Sequence, residues 1–287
     1  MSNSPSVVSI GMPVYNGELF LRGALDSLLA QSFGNFELII SDNGSNDGTE
    51  LICREFARND SRISYIKQPT NNGAIWNFNF VLQQAQGEYF MWAAHDDLWD
   101  KEWIAKLLRN YSNETAISFG HIVNINEDGK LIKNYPCVGF SGGRLRRLVS
   151  FYLAEDTRGK PNLIYGLYKT DMLKRLGFKE YGCSKYGQDM HFIFSCLQYG
   201  IITTDSAVLL YKRIQFAENG NKSIRTILSS LFLLQRAGSY LAYPLVLSKL
   251  SDKIIIAGLF PIKYMASFIY NFLARAGQYF FTQEHEK

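Results

Sequence analysis

The sequence predicts an α/β fold, a mostly parallel sheet flanked by helices, continued by an α+β half and a helical C-terminal extension. Three observations carry this. Short apolar runs alternate with segments of helical spacing as far as Asp97, and each run ends in a polar loop. Beyond residue 115 the alternation becomes irregular. From Ile224 onward apolar and aromatic residues recur at helical spacing, interrupted by Pro244 and Pro261.

The first strand is read from Val7-Val8-Ser9-Ile10-Gly11-Met12, followed by a turn over Pro13 to Gly17 and a helix with Leu21, Leu25, Leu28 and Leu29 on one face. The unit repeats. Phe36 to Ser41 is the second strand, Asp42 to Gly48 its loop, and Leu51, Ile52 and Phe56 mark the second helix. A third strand at Ile63 to Ile66 leads through Gln68 to Gly73 into an aromatic helix at Trp76, Phe78 and Leu82. Gly87 ends that helix, and Tyr89 to Ala94 is a strand running into His95-Asp96-Asp97. In the second half, strands are expected at Ile117 to Val123, Leu163 to Tyr168 and Ile201 to Tyr211, a hairpin turn at Glu127-Asp128-Gly129, and a helix at Asp189 to Leu197. The expected division is 1–221 for the main domain and 222–287 for the extension.

Length and composition suit a globular protein: 287 residues, 47% hydrophobic and 20% charged, with no low-complexity segment. Net charge is +4, and residues 222–287 hold eight Lys/Arg against three Asp/Glu, so the basic excess lies in the extension. No basic stripe marks the main domain, which argues against nucleic acid as a partner. Cys53, Cys137, Cys183 and Cys196 form no C-x-x-C or metal spacing, and MSNSPSVVSI has no basic-then-apolar leader. A cytoplasmic location is expected. The apolar stretch Ile254 to Ile262 lies between Lys253 and Lys263 and is shorter than the roughly 20 residues that cross a bilayer.

In parallel sheets of this type ligands gather at the carboxyl ends of the strands. Here that edge collects Pro13-Val14-Tyr15-Asn16, Asp42-Asn43 and His95-Asp96-Asp97. Adjacent carboxylates after a buried strand suit a hard divalent cation, Mg²⁺ or Mn²⁺, or alternatively a cap on the helix beginning near Asp100. Asp42 is either a ligand-binding acceptor or an Asx turn former. The C-terminal helices suit a membrane interface, or packing against the main domain or a second copy in a homodimer.

Val8 to Gly17, Ser41 to Thr49, and His95-Asp96-Asp97, in that order after three strands, resemble the family 2 glycosyltransferases of the type that builds bacterial surface polysaccharides. The resemblance covers roughly residues 5 to 215. It implies a GT-A fold with a Rossmann-like nucleotide half and an α+β acceptor half, and metal-dependent, inverting transfer from a nucleotide-sugar, usually a UDP-sugar, to a glycan or lipid-linked acceptor. It further implies that Pro13, Tyr15 and Asn16 surround base and ribose, that Asp42 accepts the uracil imide proton, and that the Asn72-Gly73 region closes over the base. Asp96 would lie near ribose or donor sugar and Asp97 would bind the metal. Asp189 resembles the family's catalytic base, although Gln188 stands where a Glu is usual; the alternative is an Asp stabilised by its helix N-terminus. Arg213 would contact the diphosphate or is a surface cation, and Gln215 replaces a usual His. Competing readings are a nucleotide-sugar-binding module without catalysis and a nucleotidyltransferase. Enzymes on lipid-linked acceptors work at membranes, so a peripheral position on the cytoplasmic face follows.

Overall fold

The computed structural model describes residues 6–135, 138–156, 159–182, 187–214 and 235–270. The chain divides into two compact units. One lies within Met1–Gly142, Asp156–Lys179 and Tyr199–Phe216, the other within Gly143–Glu155, Glu180–Gln198 and Ala217–Lys287. The expected boundary at 221/222 falls outside the described residues.

The first unit alternates as anticipated: β1 (Val8–Val14), α1 (Leu21–Leu29), β2 (Phe36–Asp42), α2 (Thr49–Asn59), β3 (Ile63–Lys67), α3 (Ala74–Gln84) and β4 (Tyr89–Trp92). With β8 (Tyr168–Lys169) these strands form a sheet of order β3-β2-β1-β4-β8, parallel except for β8. β1 is buried almost throughout because helices cover both faces. Gly11 allows one of those helices to come close. A Cβ there would lie 2.6 Å from Phe90 Cζ and 2.7 Å from Val81 Cγ2, so the strand interior has room only for hydrogen. Leu21, Ala24, Leu25 and Leu28 form the buried face of α1, whereas on α2 Ile52 and Cys53 face inward and Leu51 is 73% exposed.

A second sheet in the same unit has the order β5-β9-β6-β7, from β5 (Leu98–Trp99), β6 (Thr115–Ile125), β7 (Leu131–Tyr135) and β9 (Ile201–Arg213). β6 and β9 run parallel, pairing Asn124 with Lys212 and Ile125 with Arg213. The helix after β5 is α4 (Trp103–Arg109). The strand expected at Leu163 to Tyr168 is instead a 3-10 helix, Lys160–Tyr165, before the two-residue β8. Pro161 at its start has no N–H for a ladder and a φ suited to a first helical turn. The unit also contains α6 (Thr170–Leu176).

In the second unit, α5 (Arg144–Leu153) and α7 (Gln188–Cys196) pack around Tyr243. Ring centroids lie 5.2 Å apart for Tyr152–Tyr243, 4.9 Å for Phe194–Tyr243 and 4.7 Å for His191–Tyr243. His191 is fully buried, its Nε2 2.9 Å from the Ser239 carbonyl, a structural role. Residues 235–242 are helical, and a 3-10 turn, Tyr243–Val246, carries Pro244 at its start. α8 (Leu250–Gly258) follows. Pro261 does not separate a further helix as expected: apart from a single turn residue, Leu259, the segment continues helical to Tyr270, because Pro261 lies in the first turn after that residue.

Candidate active site

The site is built at the carboxyl edge of β1, β2 and β4. Val14 pairs with Asp42 in register and Gly11 with Trp92, so Tyr15-Asn16, Asp42-Asn43 and His95-Asp96-Asp97 leave one sheet at one edge. Asn16 has a left-handed φ of 50°, which Asn tolerates better than most residues. Its N–H donates to Ser45 Oγ at 2.9 Å and its Oδ1 accepts from Asn46 N–H at 3.1 Å, which ties the first loop to the second. Tyr15 is 44% exposed and Pro13 half-buried.

Asp42 is fully buried. Its Oδ1 accepts from Ser45 N–H at 2.8 Å and its Oδ2 from Tyr65 OH at 2.9 Å, so the local turn and the phenol each take one oxygen. Burial, then the hydrogen bond to Asp42, pushes the Tyr65 phenol well above its usual range, keeping it a donor. Beside it, Asn43 grips the loop that follows β3. Asn43 Nδ2 donates to Asn71 Oδ1 at 2.9 Å and to the Gly73 carbonyl at 3.2 Å, and Asn43 Oδ1 accepts from Asn72 N–H at 3.0 Å. The side chain of Asn72 itself is exposed, with Nδ2 3.1 Å from the Thr70 carbonyl. Gly44 sits between these loops at φ 76°, where a Cβ would lie 2.9 Å from the Thr70 carbonyl carbon.

The two carboxylates of the third loop differ. Asp97 is completely buried; its Oδ2 accepts from Lys212 Nζ at 2.9 Å and its Oδ1 from Arg213 N–H at 3.0 Å. Burial pushes its carboxyl up to about 6 while the Lys212 ammonium pulls the other way. Asp96 is half-buried, and its carboxylate has no hydrogen-bond partner among the described residues. Neither caps a helix, since α4 starts only at Trp103 and Asp100 Oδ1 accepts from Glu102 N–H at 2.8 Å just before it. The geometry therefore does not suit Asp97 to the open coordination position expected for it. Among the described residues no cluster of three or more His, Cys, Asp or Glu is assembled. A cation that also binds a diphosphate needs only one or two protein carboxylates, so the half-buried, unbonded carboxylate of Asp96 fits such an ion. Burial holds His95 below the usual histidine range, hence neutral near pH 7.

Arg213 is not a loose surface cation. Its Nε donates to the Asp96 carbonyl at 3.0 Å, Nη1 to the Asn126 carbonyl at 2.9 Å and also to the Glu127 carbonyl, and its guanidinium lies 4.3 Å from the Phe20 ring centroid. It fastens the Asp96-Asp97 loop to the β6–β7 turn. Gln215, next along, lies outside the described residues. Asp189 belongs to the second unit, half-buried in the first turn of α7, with Oδ1 accepting from Met190 N–H at 2.8 Å. Gln188 holds the Tyr181 backbone at both ends: its Oε1 accepts from Tyr181 N–H at 2.8 Å and its Nε2 donates to the Tyr181 carbonyl at 3.2 Å. A Glu could make only the first bond.

Sequence reasoning placed Asn43 at the edge without its clamping bonds, and missed Lys212 and Tyr65. Lys212 stands beside Arg213 just past the strand expected at Ile201 to Tyr211, and a buried Asp needing a counterion was the available signal.

The chain matches the family model described as Glycosyl transferase family 2 over residues 9–182. It is 29% identical over 225 residues to an uncharacterized glycosyltransferase, RT0329, of Rickettsia typhi, covering 77% of this chain and 68% of that one. Over 130 residues it is 33% identical to the putative teichuronic acid biosynthesis glycosyltransferase TuaG of Bacillus subtilis, covering 45% of this chain and 52% of that one. It spans only 18% and 21% of the glycosyltransferases it matches in Rickettsia bellii and Rickettsia felis. Among solved structures, Staphylococcus aureus TarS 1–349 in complex with UDP superposes with a TM-score of 0.62 at 19% identity, covering 90% of this chain and 72% of that one. The mannosyltransferase PcManGT of Pyrobaculum calidifontis in complex with GDP-Man and Mn²⁺ gives 0.54 at 16% identity, covering 93% and 70%. Matched by the family model over more than half its length and sharing the fold of these GT-A enzymes, the chain belongs to glycosyl transferase family 2.

Proposed function

We propose that this glycosyltransferase transfers a sugar, with inversion, from a nucleotide-sugar, specifically a UDP-sugar, to a glycan or lipid-linked acceptor in surface-polysaccharide biosynthesis, and that a divalent cation assists. The observation that carries this reading is the convergence of three loops at one sheet edge, one of them clamped through Asn43 onto the loop at residues 71–73. Structural relatives crystallised with UDP, UDP-GlcNAc and GDP-Man support the donor class, and TuaG supports the pathway class.

In this reading Pro13, Tyr15, Asn16 and Asn72 line the nucleotide. Asp42 meets the base only if Tyr65 gives up its bond, and otherwise anchors the loop from beneath. Asp96 would hold Mn²⁺ or Mg²⁺, which would supply charge neutralisation for the leaving diphosphate. Asp97, Lys212 and Arg213 hold that loop in place. Asp189 takes the proton from the acceptor hydroxyl as oxygen attacks the anomeric carbon and the nucleotide departs from the opposite face. These roles replace the nucleotidyltransferase reading, and a catalytic Asp189 separates the protein from a mere binding module.

The helix Leu250–Tyr270 is long and apolar enough to cross a membrane by length and composition, and only 11% of its most apolar window is buried. It bears on the expectation that the stretch inside it was too short to do so. Leu250, Ile254, Ile262, Met265 and Ile269 are exposed at spacings of three, four or eight residues, one uncharged face of a helix. We read that face as membrane-attached, next to a lipid-linked acceptor. Incubating the protein with UDP-, GDP- and dTDP-sugars plus Mn²⁺ or Mg²⁺, and measuring nucleotide release against an EDTA control, tests the activity. Turnover of no nucleotide-sugar, with no protection by any nucleotide, refutes it.

A further inference from the structure

The first unit contains a pocket of about 310 Å³ that none of the roles above uses, lined by Asn124, Asp156, Gly159, Pro161, Asn162, Lys212 and Ile214. Its size is at the lower end of the range for small-ligand pockets, about 300–1,000 Å³, which suits one ring better than a whole nucleotide. Its chemistry is specific. Asn124 is 7% exposed and Asn162 half-buried, and neither side-chain amide has a hydrogen-bond partner among the described residues. Each therefore offers a donor and an acceptor to the pocket.

Beneath them Lys160 Nζ and Asp156 Oδ1 form a 3.0 Å ion pair whose side chains are 2% and 4% exposed. A buried pair costs desolvation energy that its mutual attraction must offset. Lys212 closes one wall, held by Asp97 at 2.9 Å and lying 5.1 Å from the Tyr165 ring centroid. Lys160 and Lys212 are each already matched by a carboxylate, so the pocket presents paired charges and amides rather than an excess of cation. That set matches the hydroxyls of a neutral ring. Lys212 also ties the pocket to the loop carrying Asp96, the residue assigned to the diphosphate.

We infer that this pocket is a subsite for a neutral pyranosyl ring, with Asn124 and Asn162 as its hydroxyl-reading residues. The inference rests on the proposed nucleotide-sugar reading. The ring belongs either to the donor's glycosyl group or to the terminal sugar of the acceptor, and the same variants distinguish the two. Lys160 is left intact in the test, because removing it would strand a buried Asp156.

The experiment uses the full chain and two variants, Asn124→Ala and Asn162→Ala. Affinities are measured for UDP, UDP-glucose, UDP-GlcNAc and UDP-glucuronic acid, and methyl glycosides serve as acceptors in turnover assays. If the ring is the donor's, the variants keep UDP affinity within twofold and lose about tenfold for the preferred neutral UDP-sugar, the scale of one or two hydrogen bonds. If it is the acceptor's, donor affinity is unchanged and acceptor KM rises about tenfold. Variants that fold and leave both quantities within twofold of wild type overturn the inference, as does tighter binding of the glucuronate than of both neutral sugars. A wild type that binds UDP while both variants behave normally refutes the subsite alone. A wild type that binds no nucleotide refutes the proposed function and the subsite with it.

Discussion

Replacing Lys212 by Met removes the ammonium that faces Asp97 while keeping most of the apolar stem. Asp97 is fully buried and Lys212 has a side chain 24% exposed, so the carboxylate cannot turn to water when its partner goes. Removing one member of a buried pair costs about 3–5 kcal/mol. Two features lower that here: the Arg213 N–H still donates to Asp97 Oδ1, and the pair is partly open on the lysine side. The expected loss is about 2–3 kcal/mol. At about 2–4 °C per kcal/mol for a domain of this size, the melting temperature should fall by about 4–12 °C. Thermal melts of wild type, Lys212→Met, Asp97→Asn and the double variant form the assay. The neutral amide in the double variant needs no counterion, so it should melt above Lys212→Met, with a coupling energy between about 0.5 and 3 kcal/mol. A Lys212→Met melt within about 1 °C of wild type would refute the view that Lys212 holds the loop through Asp97.

Asp96→Ala should fold like wild type yet lose the extra thermal protection that Mn²⁺ adds to UDP, whereas Asp97→Ala should chiefly lower stability; the reverse pattern returns the metal to Asp97. Asn43→Ala breaks three contacts to residues 71–73 and should cost about 1–3 kcal/mol and weaken UDP binding, read by melting and calorimetry. Asp189→Asn should leave UDP affinity unchanged and lower transfer by about 10² to 10⁴; transfer within about threefold of wild type removes it as base. Burial, then the nearby Asp42 charge, pushes the Cys53 thiol up to about 12, and burial likewise raises Cys196. Both should resist alkylation at pH 8 until the protein unfolds, as peptide mass spectrometry can score.

The nucleotide half was legible because strand and helix periods are local properties. Val8–Val14, Phe36–Asp42 and Ile63–Lys67 were bounded to within about a residue or two by apolar runs meeting Asn, Asp and Gly. The stretch around Leu163 was not, because Pro161 outweighs a run of apolar residues and, apart from an isolated bridge of Leu167 to Ser118, only Tyr168 and Lys169 find a ladder partner there. At the site, residue types announced the loops but not their internal bonding. Whether Asp96 or Asp97 faces outward depends on Lys212, 115 positions away and brought in by a strand of the other sheet. The same limit hid the Tyr65 contact to Asp42, since a tyrosine in an ordinary strand carries no sign of its partner. Arg213 was legible as a functional cation and illegible as a carbonyl clamp, because its acceptors are backbone atoms that sequence does not distinguish.

The central claim is that a nucleotide binds at the carboxyl edge of β1, β2 and β4. Hydrogen–deuterium exchange of the full chain with and without UDP and Mn²⁺ tests it most directly, since it reports location as well as binding. The account predicts slowed exchange in residues 13–17, 42–48, 68–73 and 95–97, with the α5 and α8 segments unchanged. Protection confined to other segments, or none with UDP, GDP or dTDP, would contradict it.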